Sequence, residues 1–252
     1  MAPKEYIPGV TRTNVARVAM DAVNQDVLSE AVDYMLSTGE YHHMVLLRTW
    51  DVIRSRLNPQ FRQYVRNSSL SVPASPAVAR HGAFLRRPAL NWYSPFEFVI
   101  RVLGILEQRN RTVYLLGGDK QLLHSVEQNI RLTFPGLRIV GRYTGYYPRD
   151  FERNIVTAIK KAAPDFLLVG PGVPGQDLWV FTHRKLFNPG IALVSSESFE
   201  IFGDRRRKPP KSSWGRVAAG IRLLLQKPWR VLRAPVYLWY GAVLLLTRVR
   251  GN

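Results

Sequence analysis

From residue 112 onward the sequence alternates short apolar runs with helical patterns of ten or more residues. The predicted strands are Thr112–Leu116, Leu137–Val140, Phe166–Val169 and Ile191–Val194, and the predicted helices are Asp119–Leu132, Arg149–Ala162 and Gln176–Phe187. Strands separated by helices of this length pair in parallel through right-handed crossovers. The pattern therefore predicts an α/β fold with a Rossmann-like, doubly wound, mostly parallel sheet.

The first half of the chain gives weaker signals of the same kind. Predicted strands cover Asn14–Asp21, Met44–Leu47 and Leu70–Val72. Predicted helices cover Asp26–Leu36 with Asp26 as a cap, Trp50–Val65 with a break at Asn58 and Pro59, Ala77–Leu85 and Pro95–Gln108. These assignments rest on the apolar spacing of each segment.

Glycine-rich loops follow the predicted strands of the second half. They are Gly117 and Gly118, Gly141–Gly145 and Gly170–Gln176. In doubly wound sheets the ligand binds at the carboxyl ends of the strands, and a glycine loop before a helix N-terminus suits a diphosphate. An ordinary strand-to-helix connection is the alternative interpretation. Polar candidates in the expected crevice are Asp119, Tyr143, Thr144, Gln176, Asp177, Glu197 and Glu200.

Gln176 has two interpretations, because its amide both donates and accepts hydrogen bonds. It can bind a sugar hydroxyl, or it can cap the helix that it begins. The chain contains no Asp-x-Asp pair, no cysteine and no metal-ligand spacing among its five histidines. The carboxylate pair that usually holds a metal-bound nucleotide diphosphate is therefore missing.

The formal charge of +18 is concentrated at the C-terminal end of the chain. Twelve of the 36 Lys/Arg residues but one of the 18 acidic residues lie between Asp204 and Arg250. We predict a main domain over residues 1–203 and a basic, amphipathic, helical appendage over residues 204–252. Such a balance points to an anionic partner.

The appendage has a composition suited to a membrane surface. Ala234–Thr247 is an uncharged apolar run of fourteen residues, shorter than the roughly 20 needed to cross a bilayer. Two segments, Gly215–Gln226 and Trp229–Arg248, combine apolar and aromatic residues with arginines. This mixture favours an anionic lipid interface over nucleic acid or a purely solvated helix. Met1–Asn24 lacks the apolar segment of a signal peptide.

Five stretches of the sequence together resemble the WecG/TagA/CpsF glycosyltransferases, which build bacterial surface polymers. They are Val113–Gly118, Phe134–Gly141, Gly145–Tyr147, Pro164–Gly170 and Gly172–Trp179, and the looser resemblance extends from about residue 12 to 235. The resemblance implies an inverting, metal-independent transfer of an N-acetylmannosamine-type sugar. The donor is a UDP-sugar, and the acceptor is linked to undecaprenyl diphosphate at the cytoplasmic face of the inner membrane.

The resemblance also implies roles for individual residues. The donor-binding positions are Gly117, Gly118, Gly145, Tyr146, Gly170, Gly172, Pro174, Gln176, Asp177 and Glu200, and the catalytic positions are Gln176, Arg222, Arg230 and Arg233. The three arginines would offset the charge of the leaving diphosphate. The implied partners are the UDP-sugar, the lipid-linked acceptor and an anionic membrane surface to which the protein binds peripherally. A homo-oligomer is a further expectation.

The chain departs from the family pattern in its acceptor half. The family has Pro-Asp-Gly, with the Asp as general base, where this chain has Pro73, Ala74 and Ser75. The Thr-x-Asn motif falls near Leu46–Arg48, the Arg-Val-x-Gly motif near Leu90–Tyr93, and the Gly-Gly-x-Phe-Asp motif at Ser195–Glu200, with Glu200 in place of the Asp. Either another residue serves as the base, with Ser75, Asp51 and Glu97 as candidates, or the chain is a scaffold that binds a nucleotide sugar or lipid-linked glycan without catalysis.

Overall fold

A computed structural model describes residues 7–87, 89–205 and 234–249 of the chain. Six parallel strands form one sheet in the order β4–β3–β8–β7–β5–β6, and β1 and β2 form a separate antiparallel hairpin. The strands are β1 Thr11–Val15, β2 Val18–Ala22, β3 Tyr41–Leu47, β4 Leu70–Pro73, β5 Thr112–Leu116, β6 Arg138–Tyr143, β7 Phe166–Val169 and β8 Gly190–Val194. The predicted doubly wound parallel sheet is confirmed.

Ten helices are described. They are α1 Gln25–Ser37, α2 Thr49–Leu57, α3 Pro59–Arg66, α4 Pro76–Phe84, α5 Pro95–Gln108, α6 Lys120–Thr133, α7 Glu152–Ala162, α8 Asp177–His183, α9 Ser196–Phe202 and α10 Ala234–Val249, with a 3₁₀ turn at Arg149–Phe151 before α7. Polar side chains fix several helix starts, since Asn58 and Asp119 accept from backbone N–H groups three residues later. The predicted Asp26 cap is wrong, because Asn24 caps α1 and Asp26 lies in its first turn.

The alternation of side chains along the strands divides the core between the two faces of the sheet. Val113 and Leu115 of β5 pack with α1, α5, α6 and α9, whereas Tyr114 and Leu116 pack with α7 and α8. A further cluster on the side of Val45 joins β3 to the hairpin, to α2, α3 and α4, and to Tyr240 and Leu244 of α10. The last helix is therefore docked on the domain.

The segment predicted as one strand, Asn14–Asp21, is a hairpin instead. Ala16 and Arg17 form its two-residue turn with φ values of 51° and 66°, the left-handed conformation that tight hairpins require. The buried Asp21 accepts two bonds from Arg12, at 2.7 and 2.9 Å, and one from the Ser71 N–H at 2.7 Å. These bonds fasten the hairpin to the β4 edge of the sheet.

Two other predicted bounds need correction. The helix predicted over Gln176–Phe187 is α8, Asp177–His183, and the region at Ser195–Glu200 contains an unpredicted helix, α9. Of the two predicted C-terminal segments, Gly215–Gln226 lies outside the described residues, and the described part of Trp229–Arg248 belongs to α10. Within the described part of the chain, no helix is both long and apolar enough to span a bilayer.

Candidate active site

A polar cavity of about 710 Å³ lies across the carboxyl ends of β3, β4, β7 and β8. This is the edge where doubly wound sheets bind ligands. The loops and helix starts that follow these strands supply most of its walls, and Tyr237 of α10 contributes from the C-terminal side. Its polar and charged lining comprises Arg48, Thr49, Asp51, Arg54, Tyr64, Ser75, Gln176, Asp177, Ser195, Ser196, Glu197, Trp50 and Tyr237.

Asp51 lies in the first turn of α2, directly after β3. Its Oδ2 accepts a bond of 2.9 Å from the Arg48 N–H, which closes the helix start. Burial raises the pKa of the Asp51 carboxyl to about 6, and the negative charge of Asp177 acts in the same direction. A carboxylate with such a pKa is suited to accept a proton near neutral pH.

Asp177 is the second carboxylate of the cavity and begins α8. Arg54 donates to its Oδ2 at 3.1 Å, so α2 and α8 are joined across the site. Burial raises the pKa of Asp177, and the Arg54 guanidinium opposes this shift. The ion pair joins α2, which also carries Asp51, to the first residue of α8.

Gln176 is the N-cap residue of α8, but its side chain makes no capping hydrogen bond. Its Nε2 donates instead to Ser196 Oγ, 3.0 Å away at the start of α9. The Gln176 backbone has φ 34°, a left-handed conformation that is costly for a residue with a side chain. Gln176 lines the cavity, where its amide oxygen can accept a bond from a ligand hydroxyl.

The three alternative bases proposed from the sequence are placed differently. Asp51 and Ser75 line the cavity, and Glu97 is not part of its lining. Glu97 instead pairs with Arg101 at 3.0 Å on the surface of α5. Ser75 caps α4 through a bond of 3.4 Å from the Val78 N–H, and a serine hydroxyl is a weak base without an activating partner. Asp51 is thus the candidate that both lines the cavity and has a pKa suited to a proton acceptor.

Ala74 occupies the position of the family's general base, and it is buried. Its N–H donates to the Leu47 carbonyl at 2.8 Å, which continues the β3–β4 pairing beyond the end of β4. The strand end is therefore built as expected, but a methyl group lies where a carboxylate is expected. No proton acceptor is available from this side chain.

The glycine loops converge, but mainly on each other. The Gly118 N–H donates to the Pro171 carbonyl at 2.6 Å, and the Gly145 N–H donates to the Gly118 carbonyl at 2.8 Å. A Cβ on Gly117 would lie 2.6 Å from the Cα of Gly170, so the backbones touch. These glycines lie at the ends of β5, β6 and β7, beside the cavity and outside its lining. Their role in donor binding stays a prediction.

The other predicted donor-side residues surround this glycine cluster. The exposed Tyr146 packs its ring over Gly172, and Pro174 is exposed in the same loop. Asp119 is paired with Arg205 through bonds of 2.7 and 2.9 Å, and this pairing lowers the pKa of the Asp119 carboxyl. Glu200 lies in α9, and Tyr143 ends β6. Among the polar candidates from the sequence, Gln176, Asp177 and Glu197 line the cavity.

The described lining of the cavity contains more carboxylates than arginines. Two arginines, Arg48 and Arg54, face three carboxylates in its lining, and Glu197 pairs with Arg48. A diphosphate entering this cavity needs additional positive charge. The predicted catalytic residues Arg222, Arg230 and Arg233 lie outside the described residues. Arg48, Arg54, Tyr64 and Tyr237 were not predicted, since none belongs to a glycine loop.

The chain is an α/β protein with a cavity at the carboxyl edge of its sheet, the edge where doubly wound sheets bind ligands. The chain belongs to the glycosyl transferase WecG/TagA/CpsF family, whose sequence profile matches residues 13–251.

Two relatives carry the name N-acetylglucosaminyldiphosphoundecaprenol N-acetyl-beta-D-mannosaminyltransferase. The protein of Bacillus spizizenii is 22% identical over 178 residues, which cover 71% of this chain and 66% of the relative. The protein of Staphylococcus aureus strain NCTC 8325 is 23% identical over 150 residues, which cover 60% and 58% respectively. The chain thus spans less than two thirds of the length of these relatives.

Proposed function

We propose that the chain transfers an N-acetylmannosamine-type sugar from a UDP-sugar to a polyprenyl-diphosphate-linked acceptor during synthesis of a cell-envelope polysaccharide. The family membership and the names of the two relatives support the reaction class. The observation that carries the proposal is the cavity itself, where Asp51, Asp177 and Gln176 meet across the carboxyl ends of the parallel strands. The reaction takes place at the cytoplasmic face of the membrane, to which the protein binds peripherally.

In the proposed reaction Asp51 is the general base. Its carboxylate takes the proton of the acceptor hydroxyl while the hydroxyl oxygen bonds to the anomeric carbon of the donor sugar. The bond between this carbon and the diphosphate oxygen breaks, and UDP leaves with the electron pair. Attack opposite to the leaving group inverts the anomeric centre. Because burial raises the Asp51 pKa to about 6, the basic form predominates above that pH.

The remaining parts of the site have supporting roles in this proposal. Gln176 orients the sugar through its amide oxygen, since its Nε2 is held by Ser196. The glycine cluster at the ends of β5, β6 and β7 provides a surface that the donor can approach closely. Arg222, Arg230 and Arg233 offset the charge that develops on UDP, so no metal is required.

Ala74 favours a second candidate function. A family member without the usual base can bind a nucleotide sugar or a lipid-linked glycan as a scaffold and catalyse no transfer. The buried methyl group at the end of β4 is the specific observation behind this alternative. The two functions differ in whether Asp51 replaces the missing carboxylate.

One experiment separates the two functions. Binding of UDP-sugars to the purified full chain is measured by calorimetry, and UDP release is followed with a polyprenyl-diphosphate-linked N-acetylglucosamine acceptor. We expect binding, and UDP release that depends on the acceptor. Binding without UDP release from any acceptor would contradict the transferase and support the scaffold. Absence of UDP-sugar binding would contradict the transferase and leave, of the scaffold functions, the one that binds a lipid-linked glycan.

A further inference from the structure

A second cavity, of about 790 Å³, lies on the same side of the sheet as α10. The hairpin, α2, α3 and α10 form its walls, and the segment after α4 adds Arg87. Its lining contains five arginines, Arg17, Arg56, Arg62, Arg66 and Arg87, and no acidic residue. It shares no lining residue with the candidate active site. The concentration of positive charge predicts an anionic ligand.

The positive charge of this arginine cavity is not neutralised by acidic residues of the described ranges. Among the described residues, the acidic side chains form their ion pairs with other arginines or with His183, and none with these five. Arg56 donates to the Ala16 carbonyl at 2.8 Å and Arg62 to the Ser55 carbonyl at 2.9 Å. These carbonyls orient the guanidinium groups without cancelling their charge.

Two further observations show that the arginines are crowded without a counter-ion. Burial lowers the pKa of Arg56, and the charges of Arg17 and Arg62 lower it further. The Nε atoms of Arg56 and Arg87 are buried and have no acceptor within the part of the chain that the structure describes. A buried N–H without an acceptor is costly, and an anion in the cavity would remove that cost.

One wall of the arginine cavity is apolar. Val243 and Leu246 of α10 line it, and the same helix exposes Leu245 and Val249 to solvent at 58% and 83%. The ring of Trp239 lies 5.8 Å from the Arg56 guanidinium. Arginines beside exposed leucines and a half-exposed tryptophan form the arrangement found where proteins meet a lipid interface.

We propose that the arginine cavity binds the phosphate group of an anionic membrane lipid, with the acyl or prenyl chain of that lipid lying along the exposed apolar side of α10. Guanidinium groups bind phosphate oxygens in pairs, and five of them can surround one headgroup. A phosphate free in water would gain nothing from the leucines of α10. A nucleic acid strand would need aromatic rings for stacking inside the cavity, and none of the described residues that line it is aromatic. A lipid offers a phosphate to the charged wall and a hydrocarbon chain to the apolar wall.

The proposal does not rest on the proposed transfer reaction, since a protein without transferase activity can bind lipid in the same way. The test uses the full chain with the substitutions Arg17→Gln and Arg66→Gln. Both arginines are exposed, and their replacement leaves the backbone hydrogen bonds of the fold intact. The matched control carries Arg138→Gln and Arg153→Gln, two exposed arginines on β6 and α7 at the opposite edge of the sheet. Both variants lose two positive charges.

Binding to phosphatidylcholine vesicles with and without phosphatidylglycerol is measured by sedimentation. We expect the Arg17 and Arg66 variant to lose about 30-fold in affinity for the anionic vesicles, since each arginine at such a surface contributes roughly a fivefold gain. The control variant should lose less than threefold. Equal losses in the two variants would show that net charge alone drives binding, and would overturn the site.

Two further arms identify the source of the phosphate. Phosphatidylcholine vesicles that contain a polyprenyl diphosphate report whether the acceptor's own lipid occupies the cavity, and inorganic diphosphate reports binding from solution. A loss confined to the Arg17 and Arg66 variant with either anionic vesicle supports the proposal. Tight binding of inorganic diphosphate through Arg17 and Arg66, with no preference for anionic vesicles, overturns the lipid assignment. Melting curves of both variants show that the fold is retained.

Discussion

The sequence shows that Asp51 has an acidic side chain and that it lies just after the end of a predicted strand. The structure adds the burial that raises its pKa to about 6. We expect Asp51→Asn to lower the rate of transfer by about 10²–10⁴-fold, because the acceptor hydroxyl loses its proton acceptor. UDP-sugar affinity should stay within a few-fold. In the unsubstituted chain the rate should rise with pH through about 6, as the carboxylate forms.

The same substitution has an opposite effect on stability. The folded-state pKa of Asp51 lies above the ordinary value, so the ionised form costs stability above pH 6, and the cost disappears as the pH falls toward 4. The asparagine side chain can still accept the bond from the Arg48 N–H. The melting temperature of the Asp51→Asn variant should therefore match or exceed that of the unsubstituted chain at pH 8. Asp150→Asn, at an exposed site, is the control. A full rate in the Asp51 variant would exclude this base.

Gly117 illustrates a residue whose importance comes from backbone contact. It has φ 147°, and an added Cβ would lie 2.6 Å from the Cα of Gly170. We expect Gly117→Ala to destabilise the fold by on the order of 3 kcal/mol, since the contacting atoms are backbone and cannot move aside. Thermal unfolding monitored by circular dichroism measures this loss.

The control for this change is Gly104→Ala inside α5, where the nearest side-chain atom to an added Cβ is 3.7 Å away. Alanine favours a helix, so the control should gain about 0.5–1 kcal/mol. A neutral Gly117→Ala would mean that the loops after β5 and β7 can separate. In that case the glycines would be available to a ligand rather than occupied by each other.

At the scale of elements, local signals predicted the parallel sheet well. The strands from Thr112 onward are short apolar runs bounded by turns, and their identity does not depend on distant residues. The hairpin was missed because Ala16 and Arg17 are not turn-forming residue types, so nothing local marks the reversal. The end of α8 was misplaced because Trp179, His183 and Phe187 keep helical spacing, although turns after His183 bring their rings together.

The two cavities were less predictable, for a physical reason. Gln176 and Asp177 lie where the loop after β7 meets the start of α8, so their place at the sheet edge follows from topology. The arginine cavity gathers arginines from position 17 to position 87, and only tertiary packing brings them together. No spacing in the sequence distinguishes these arginines from the other arginines on the surface of the protein. Ala74, by contrast, was identified from the family pattern alone.

The docking of α10 is a property of that element and can be tested by itself. Leu244 is 7% exposed within the cluster formed by the hairpin, α2, α3 and α4, whereas its neighbour Leu245 is 58% exposed. We expect Leu244→Ala to destabilise the docked helix by about 2–4 kcal/mol. Hydrogen exchange of the amides in Ala234–Val249 should become faster.

Leu245→Ala removes the same methyl groups from the solvent side and should change stability by less than about 0.5 kcal/mol. Unchanged exchange in the Leu244 variant would mean that α10 is held by other contacts. Tyr240, which packs its ring against His81 at a centroid distance of 5.4 Å, is then the residue to substitute next.

For the molecule as a whole, the balance of charge in the active site matters most. Its described lining has more carboxylates than arginines, and the proposed leaving group is a further anion. We expect the combined change of Arg222, Arg230 and Arg233 to glutamine to lower kcat by about 10²-fold or more. UDP-sugar binding should weaken much less. Steady-state kinetics with the lipid-linked acceptor separates the two effects.

A matched variant carries Arg206, Arg207 and Lys208 changed to glutamine, which removes three charges from the same basic tail. If this variant loses as much kcat as the first, the loss reflects weaker membrane binding and not stabilisation of the leaving group. Repeating the assay with a short-chain, water-soluble acceptor gives the same distinction. The specific effect of the three arginines should persist there.

Tyr237 and Leu246 lie on the same helix but in the walls of different cavities. At 1.5 Å of rise per residue the two positions are about 14 Å apart along α10. Because one helix borders both cavities, a lipid that displaces α10 would change the walls of both, and the two binding events would then be coupled. If membrane binding raises the affinity for a nucleotide sugar by some factor, binding of the nucleotide sugar must raise the affinity for the membrane by the same factor. The protein would then remain at the bilayer longest when its donor is abundant. The concentration of the nucleotide sugar would set the fraction of the protein that is bound to the membrane.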